Sequence, residues 1–252
     1  MDESRMQDYL TLIEKLSASS NPQGARQLLQ ELLQTELERL QTQGSQQMIF
    51  AVLRRHLAHL NLGFIPVMQQ VIRGLIAENP QAAETIVALM ENISIHISNF
   101  PLGNRADNLE ITLAGYGLVL EVRTQAQNPE GWAQTQNNLA NAYSERIRGD
   151  RGENLEQAIA AYALALEVRT RQDFPVQWAT TQNNLAIAYR ERIRGDQAEN
   201  LEQAIAAYAL ALEVRTRQDF PVDWAMTQNN LAIAYRERIR GDRAENLEQA
   251  IA

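Results

Sequence analysis

The sequence predicts an all-α protein in which antiparallel helix pairs stack into a solenoid. Three observations predict it. Gly149, Gly195 and Gly241 recur 46 residues apart, each inside the hexapeptide ERIRGD (Glu145–Asp150, Glu191–Asp196, Glu237–Asp242). Residues 154–199 are followed by a near copy, 200–245, which departs at Gln177/Asp223, Thr180/Met226 and Gln197/Arg243. Within each copy the apolar residues return at three- and four-residue steps, the period of a helix with one buried stripe. A repeat of about 20–50 residues marks stacked supersecondary units, each too small to bury its own apolar face.

In chain order, the first hundred residues read as helices near 3–17, 23–43, 46–60, 65–78 and 81–99. The segments SSNPQG (19–24) and NP (79–80) are the clearest breaks. Residues 1–80 are expected to form an N-terminal helical cap or bundle, and 81–252 the array. Its units start near Asn108, Asn154, Asn200 and Asn246, the last one cut short. The helix ending near Phe100 already shows the register. Asn92, Ile93 and Ile97 precede Asn138, Leu139 and Tyr143 by 46 residues, and Gly103 precedes Gly149 by the same step.

Each unit reads as two helices. The first, NLEQAIAAYALALEVRTRQ, carries Leu201, Ala204, Ile205, Tyr208, Ala211 and Leu212 on one stripe, with Glu202, Glu213 and Arg217 opposite. It is expected to stop at DFP, because Pro221 disfavours helical geometry in Phe220 and can open the next helix. The second, PVDWAMTQNNLAIAYRERIRG, puts Trp224, Gln228, Leu231, Ala232, Tyr235 and Ile239 inward. It is expected to run out to a capping glycine, Gly195 or Gly241, with Arg194 in the last turn among cations that favour the exposed carbonyls. The Arg-Gly-Asp tripeptide is thereby punctuation; an adhesion role would need an extracellular, exposed loop tip.

Leu185-Ala186 with Tyr189, and Ala204, Tyr208 and Ala211, recur in register. They resemble the L-G-x-x-Y and A-x3-F-x2-A signatures of tetratricopeptide repeats, with alanine replacing glycine. The period is longer than that family's usual repeat, and Trp178 stands seven residues before Leu185, so the units look like a long-helix variant. QNNLAIAY is similar to the long repeats of kinesin light chains. Units of the form WATTQNNLAIAYRERIRGDQAENLEQAIAAY, after the leader MDESRMQDYLTLIEKL, resemble the N-terminal arrays of cyanobacterial proteins, many of which end in a caspase-like CHAT domain. The resemblance implies a right-handed superhelix, a protein or peptide partner in its concave groove, and a downstream effector domain of the same polypeptide. The chain is therefore read as part of a longer regulatory protein. The CHAT protease uses a His/Cys dyad; this chain has no cysteine, so no catalytic residue carries over.

Composition narrows the classes. The chain has 252 residues, a formal net charge of -8 and a pI near 5.0. That balance argues against general affinity for nucleic acid or an anionic membrane. With no cysteine there is no disulfide, thiolate metal site or cysteine nucleophile. The absence of disulfides fits a reducing cytoplasm, where the protein is expected to reside. The N-terminus is acidic and amphipathic, unlike a signal peptide, and no apolar run approaches the ~18 residues of a membrane span.

No catalytic residue, metal or cofactor is expected. His56 and His59 are three apart on a helix, a spacing two metal ligands can use, but no further ligand joins them nearby. His96 replaces the alanine at Ala142 and Ala188 and reads as a packing or surface residue. The RERIR clusters are balanced by Glu191, Asp196 and Glu199 and read as a solvated, salt-bridged face. The Asn pairs Asn137-Asn138, Asn183-Asn184 and Asn229-Asn230 lie on the helix that the resemblance places along the groove. There a carboxamide can donate to and accept from a peptide backbone. Asn138, Asn183, Asn184, Asn229 and Asn230 are the candidate contacts, Asn184 foremost, with Arg190 and Arg236 to recognise acidic groups. The alternative use of one Asn in each pair is to tie adjacent repeats together. Trp132, Trp178 and Trp224 are read as inter-repeat core. The truncated last unit leaves Leu231, Tyr235 and similar residues without their following helix, and such exposed apolar surface favours self-association.

Overall fold

The structure is a computed structural model and describes residues 23–251. Among these residues there are eleven α-helices, two short 3-10 turns and no strand. The helix expected over 3–17 lies outside the described residues. The chain divides into two compact units between Gln127 and Asn128.

The first unit holds α1 (Gln23–Thr42), α2 (Gln47–Arg55), α3 (Phe64–Glu78), α4 (Ala83–Asn99) and α5 (Arg105–Val122). Leu28, Leu29, Leu32, Leu33 and Leu37 of α1 follow helical spacing and are all essentially inaccessible. They share one core with Ile49 and Leu53, Phe64, Met68 and Ile72, Val87 and Ile93, and Ile111 and Val119. Full burial of each such side chain stabilises by roughly 1.5–3 kcal/mol. The α4–α5 pair, expected as the degenerate first member of the array, thus has a core continuous with α1–α3. A side chain at Gly115 would meet the Ser94 hydroxyl at 2.1 Å, so the close approach of α4 and α5 there needs glycine.

Two partly buried ionic clusters lie inside this unit. Glu36, fully buried, takes a bidentate pair from Arg39 at 2.8 and 2.7 Å and has His96 Nε2 at 3.3 Å. Arg123 reaches Glu84 at 2.7 Å and also Glu91. His96 is a packed residue, at 8% exposure.

The second unit holds α6 (Pro129–Glu145), α7 (Arg151–Val168), α8 (Pro175–Glu191), α9 (Gln197–Leu212), α10 (Pro221–Glu237) and α11 (Arg243–Ile251). Each of α6, α8 and α10 opens with its proline at the first helical position, where the missing N–H costs nothing. The unit is a stack of helix pairs, joined by recurring small clusters. Ala186, Ala204, Tyr208 and Ala234 form one, and Ala140, Ala158, Tyr162, Leu185 and Ala188 another. Alanine on both sides lets the axes approach, and one tyrosine fills the remaining space.

Both helix ends differ from the sequence expectation. The first helix of each pair stops at Val168 or Leu212, not at the DFP segment. Arg169 leaves helical geometry (φ -76, ψ 87) and its buried guanidinium reaches Thr181 at 3.1 Å and Gln134. A hydroxyl turn follows, with the Asp173 N–H donating to Thr170 at 3.0 Å. The second helix ends at Glu191, four residues before Gly195. Gly195 lies in the connecting loop at φ +83, so it is not the helix cap, and Arg194 is not in a last turn. Ile193 and Ile239 sit in these loops at 63% and 60% exposure, so Ile239 is not on the inner face.

The loop instead belongs to the following helix. Asp196 is the N-cap of α9, accepting from the Glu199 N–H at 2.8 Å. Asn200 Nδ2 donates to the Arg194 carbonyl at 2.9 Å, and Arg192 donates to Asn200 Oδ1 at 3.3 Å. The same clamp recurs from Asn154 to the Arg148 carbonyl at 2.8 Å and from Asn246 to the Arg240 carbonyl at 2.9 Å.

Candidate functional site

A recess of about 380 Å³ opens between consecutive repeats of the second unit. Asn141, Ser144 and Glu145 come from the last turns of α6; Asn184, Ile187 and Glu191 come from α8; Tyr162 projects from α7. On a helix, residues three and four apart share a face. Asn141, Ser144 and Glu145 therefore form one strip, and Asn184, Ile187 and Glu191 another. The 46-residue step turns Asn138 into Asn184, Asn141 into Ile187 and Glu145 into Glu191.

The recess is preorganised by a carboxamide relay. The Tyr162 hydroxyl donates to Asn141 Oδ1 at 2.6 Å, and Asn184 Nδ2 donates to the same oxygen at 3.2 Å. Asn183 Nδ2 donates to Asn184 Oδ1 at 3.3 Å. Burial pushes the Tyr162 hydroxyl well above its ordinary value. The neighbouring Ser144 hydroxyl opposes the shift, and the negative charges of Glu145 and Glu191 add to it. Tyr162 is therefore held as a neutral donor. Ser144 Oγ is closed to solvent and stands beside that hydroxyl without hydrogen-bonding geometry of its own.

The Asn pairs divide their work. Asn137 and Asn183 are buried at 5% and 6% exposure and face the next repeat. Thr181 Oγ1 lies 3.0 Å from Asn137 Oδ1 and 2.9 Å from the Gln177 carbonyl, which share its one proton. One step on, Thr227 Oγ1 lies 3.4 Å from Asn183 Oδ1. The first Asn of these pairs thus ties repeats together. Asn184, half-buried, lines the recess, and Asn138 accepts from Gln134 at 3.2 Å. Asn229 is exposed and Asn230 half-buried. Arg190 and Arg236 lie beside Glu191 and Glu237 at 3.7 and 3.8 Å.

The arginines of the ERIRGD segment turn back to the start of the preceding helix. Arg192 makes a bidentate pair with Glu156, and Arg238 with Glu202, each at 2.8 Å through both nitrogens. Arg194 reaches Glu153 at 2.7 Å and Asp150 at 3.4 Å. Their partners lie at the start of the preceding helix, not at the neighbouring Glu191, Asp196 and Glu199 that the sequence offers. Trp178 is buried against Ala179 and Ala211, while Arg217 lies over the Trp224 ring at 5.6 Å.

His56 and His59 have ring centroids 6.4 Å apart, and His56 Nε2 stands 3.0 Å from Glu31. Among the described residues no group of three or more His, Cys, Asp or Glu could hold a metal ion, and no helix is long and apolar enough to cross a membrane.

Sequence reasoning missed Asn141, Ser144, Tyr162, Glu145 and Glu191 as a set. The signal was present in Asn141 and Ser144, which differ from Ile187 and Arg190 at equivalent places in the next repeat.

Residues 178–218 and 224–252 match the family model of the tetratricopeptide repeat. Each match starts at a tryptophan, Trp178 or Trp224, and runs through the following helix pair. The crystal structure of BtubC (BKLC) from P. vanneervenii superposes with a TM-score of 0.52 at 16% identity, covering 98% of this chain and 85% of that one. That likeness shows the fold. No curated protein matches the chain. The helix pairs are thus tetratricopeptide-like repeats in a helical, solenoid-type fold, a class that generally mediates protein–protein interaction.

Proposed function

We propose that the chain is a non-catalytic interaction scaffold that holds a peptide or partner domain along the face shared by α6, α8 and α10. The observation that carries this reading is the recess between α6 and α8, where the carboxamides of Asn141 and Asn184 are held in place by Tyr162 and Asn183. Preorganised amides lose little freedom when they meet a ligand's backbone. Asn138, Asn184 and Asn230 contact the partner, with Asn229, exposed, beside them; Arg190 and Arg236 add charge recognition. Asn183 acts within the stack. The reading places the protein in the cytoplasm.

The test is selection of a random-peptide phage library on the full chain, followed by titration of the recovered peptides. Binding should weaken about tenfold or more in the double variant Asn184→Ala, Asn230→Ala. Unchanged affinity removes the asparagine-lined face from the binding site.

A narrower reading rests on the likeness of the repeat units to cyanobacterial arrays that precede a caspase-like CHAT domain. There the scaffold is the regulatory arm of a cysteine protease. Sequencing the gene past the codon for Ala252 decides it: a His/Cys pair in an α/β pattern supports the assignment, and a stop codon or a different domain refutes it.

A further inference from the structure

A helix-packing seam that is filled on α8 stands open on α10. Val222, Ala225, Asn229, Ala232 and Arg236 follow one another at three- and four-residue steps, the spacing of one helix face. On α8 the matching Ala179, Asn183 and Ala186 are at 0%, 6% and 0% exposure. Ala211 of α9 packs with Ala179, and Ala234 of α10 shares a cluster with Ala186. On α10, Ala225 and Asn229 are exposed, and Val222 and Met226 are at 72% and 58% exposure. The small residues that let α9 and α10 close on α8 are thus presented again, largely uncovered.

The open face differs from the filled one at one position. Each filled joint takes a buried arginine from the following repeat. Arg169 donates to Gln134 on α6, and Arg215 donates to Thr180 Oγ1 on α8 at 3.0 Å. Positions 134, 180 and 226 are 46 residues apart, and the third holds Met226. A thioether is a weak acceptor, so an arginine buried against it forfeits a hydrogen bond and its desolvation goes uncompensated. The face on α10 therefore disfavours a further unit of the 154–199 type. It suits a helix that lays small or apolar side chains on Met226.

We infer that the helix received there is α10 of a second copy, packed antiparallel across a two-fold axis at Asn229. The inference goes beyond the scaffold reading and does not require it. Met226 and Ala232 lie three residues either side of Asn229, and Val222 and Arg236 seven, so Met226 of one copy faces Ala232 of the other and Val222 faces Arg236. No guanidinium is buried on Met226; the aliphatic stem of Arg236 lies along Val222 with its charged end in water. A carboxamide both donates and accepts, so Asn229 bonds its own copy, and one polar pair in a small, apolar seam fixes the register. Unlike charges come together, because Asp223 opens α10 and Arg236 closes it. Each also has a counter-charge in its own chain, Arg215 at 3.9 Å and Glu237 at 3.8 Å, so no uncompensated charge is buried. One helix of 17 residues forms the interface, which places it among the small, reversible contacts below about 1,200 Å². Pairing covers Asn229 and the stem of Arg236, so a partner bound along α10 competes with it.

Sedimentation velocity of the full chain, from low micromolar to near-millimolar concentration, should show a reversible monomer–dimer equilibrium. It should stop at two, because a two-fold interface closes on itself. The chain has no cysteine, so Asn229→Cys carries a single thiol. Mild oxidation should link this variant about tenfold faster than Gln172→Cys, an exposed site off α10, because a disulfide needs Cβ atoms within about 4.5 Å. Met226→Glu, at an exposed position, should weaken association about tenfold or more while its circular dichroism melt matches the wild type. A chain that stays monomeric at every concentration overturns the inference. So does a dimer that ignores Met226→Glu, or one in which Asn229→Cys links no faster than Gln172→Cys. Oligomers that grow past two would set the α10 face on a different surface of the next copy, and they too overturn the two-fold pairing.

Discussion

Tyr162 donates its hydroxyl proton to Asn141 Oδ1 across 2.6 Å, while Tyr208, its equivalent one repeat later, has a buried hydroxyl with no partner. The difference follows from Ile187 standing where Asn141 stands in the preceding repeat. Burial pushes the Tyr208 hydroxyl up to about 12, with Arg190 opposing and Glu191 and Glu237 adding to the shift. A paired buried hydroxyl stabilises by about 1 kcal/mol, whereas an unpaired one costs the desolvation of its group. Tyr162→Phe should therefore lower the unfolding free energy by about 1 kcal/mol, and Tyr208→Phe should be neutral or stabilising. Urea denaturation of the two variants checks this; equal losses would contradict it.

Thr181 stands between a buried arginine and a buried asparagine. It accepts from Arg169 at 3.1 Å and lies 3.0 Å from Asn137 Oδ1. Valine has the same shape and none of these bonds. Thr181→Val should destabilise by about 2–3 kcal/mol, because it strands polar groups of both neighbours. The urea midpoint reads the effect, and a shift no larger than that of an exposed surface substitution would show that the tie is dispensable.

Asn200 closes the loop 192–196 onto α9 through the Arg194 carbonyl. Asn200→Ala should cost about 1–3 kcal/mol and speed amide hydrogen exchange in that loop. Gly195→Ala acts on the same loop by another route. At φ +83 a Cβ is strained by about 1–2 kcal/mol. Exchange rates unchanged in Asn200→Ala would mean that the loop is held by its backbone alone.

Acid should loosen both units. Burial works to raise the Glu36 carboxyl, but hydrogen bonds from Arg39 and His96 outweigh it and hold the group below the usual carboxylate range. Arg192 holds Glu156 low, and Arg238 holds Glu202 low. A carboxylate depressed in the folded state contributes stability that is fully present above its unfolded value, about 4.3. That contribution fades as pH falls through the lower folded value. The unfolding free energy should thus decline below about pH 4.5. Glu36→Gln should flatten the decline, as measured by urea titrations at stepped pH.

The helix pairs were legible in the sequence because burial repeats itself. Ala204, Tyr208 and Ala211 sit on the stripe that periodicity marks, and Pro175 and Pro221 open their helices as expected. The helix ends were less legible. Val168 and Glu191 end their helices because Arg169 and Arg192 leave the helical path to reach Thr181 and Glu156, contacts between neighbouring helices that local propensity does not encode. The recess was harder still. Its chemistry depends on Asn141 and Ser144 departing from the repeat pattern, while Asn183, inside the stack, looks in sequence like its neighbour Asn184. The three places where the near copies differ are also contact positions. Asp223 approaches Arg215 at 3.9 Å, Thr180 accepts from Arg215 at 3.0 Å, and Arg243 reaches the Arg236 carbonyl at 2.6 Å.

The Arg192–Glu156 and Arg238–Glu202 pairs have the same 2.8 Å geometry within successive repeats, and Arg194–Glu153 and Arg240–Glu199 join one repeat to the next. Because such joints are interchangeable, unequal crossing-over between the near-identical gene segments would lengthen or shorten the protein by whole modules without spoiling any surviving joint. Evolution can therefore adjust the reach of this molecule by copying, with no fresh invention of contacts.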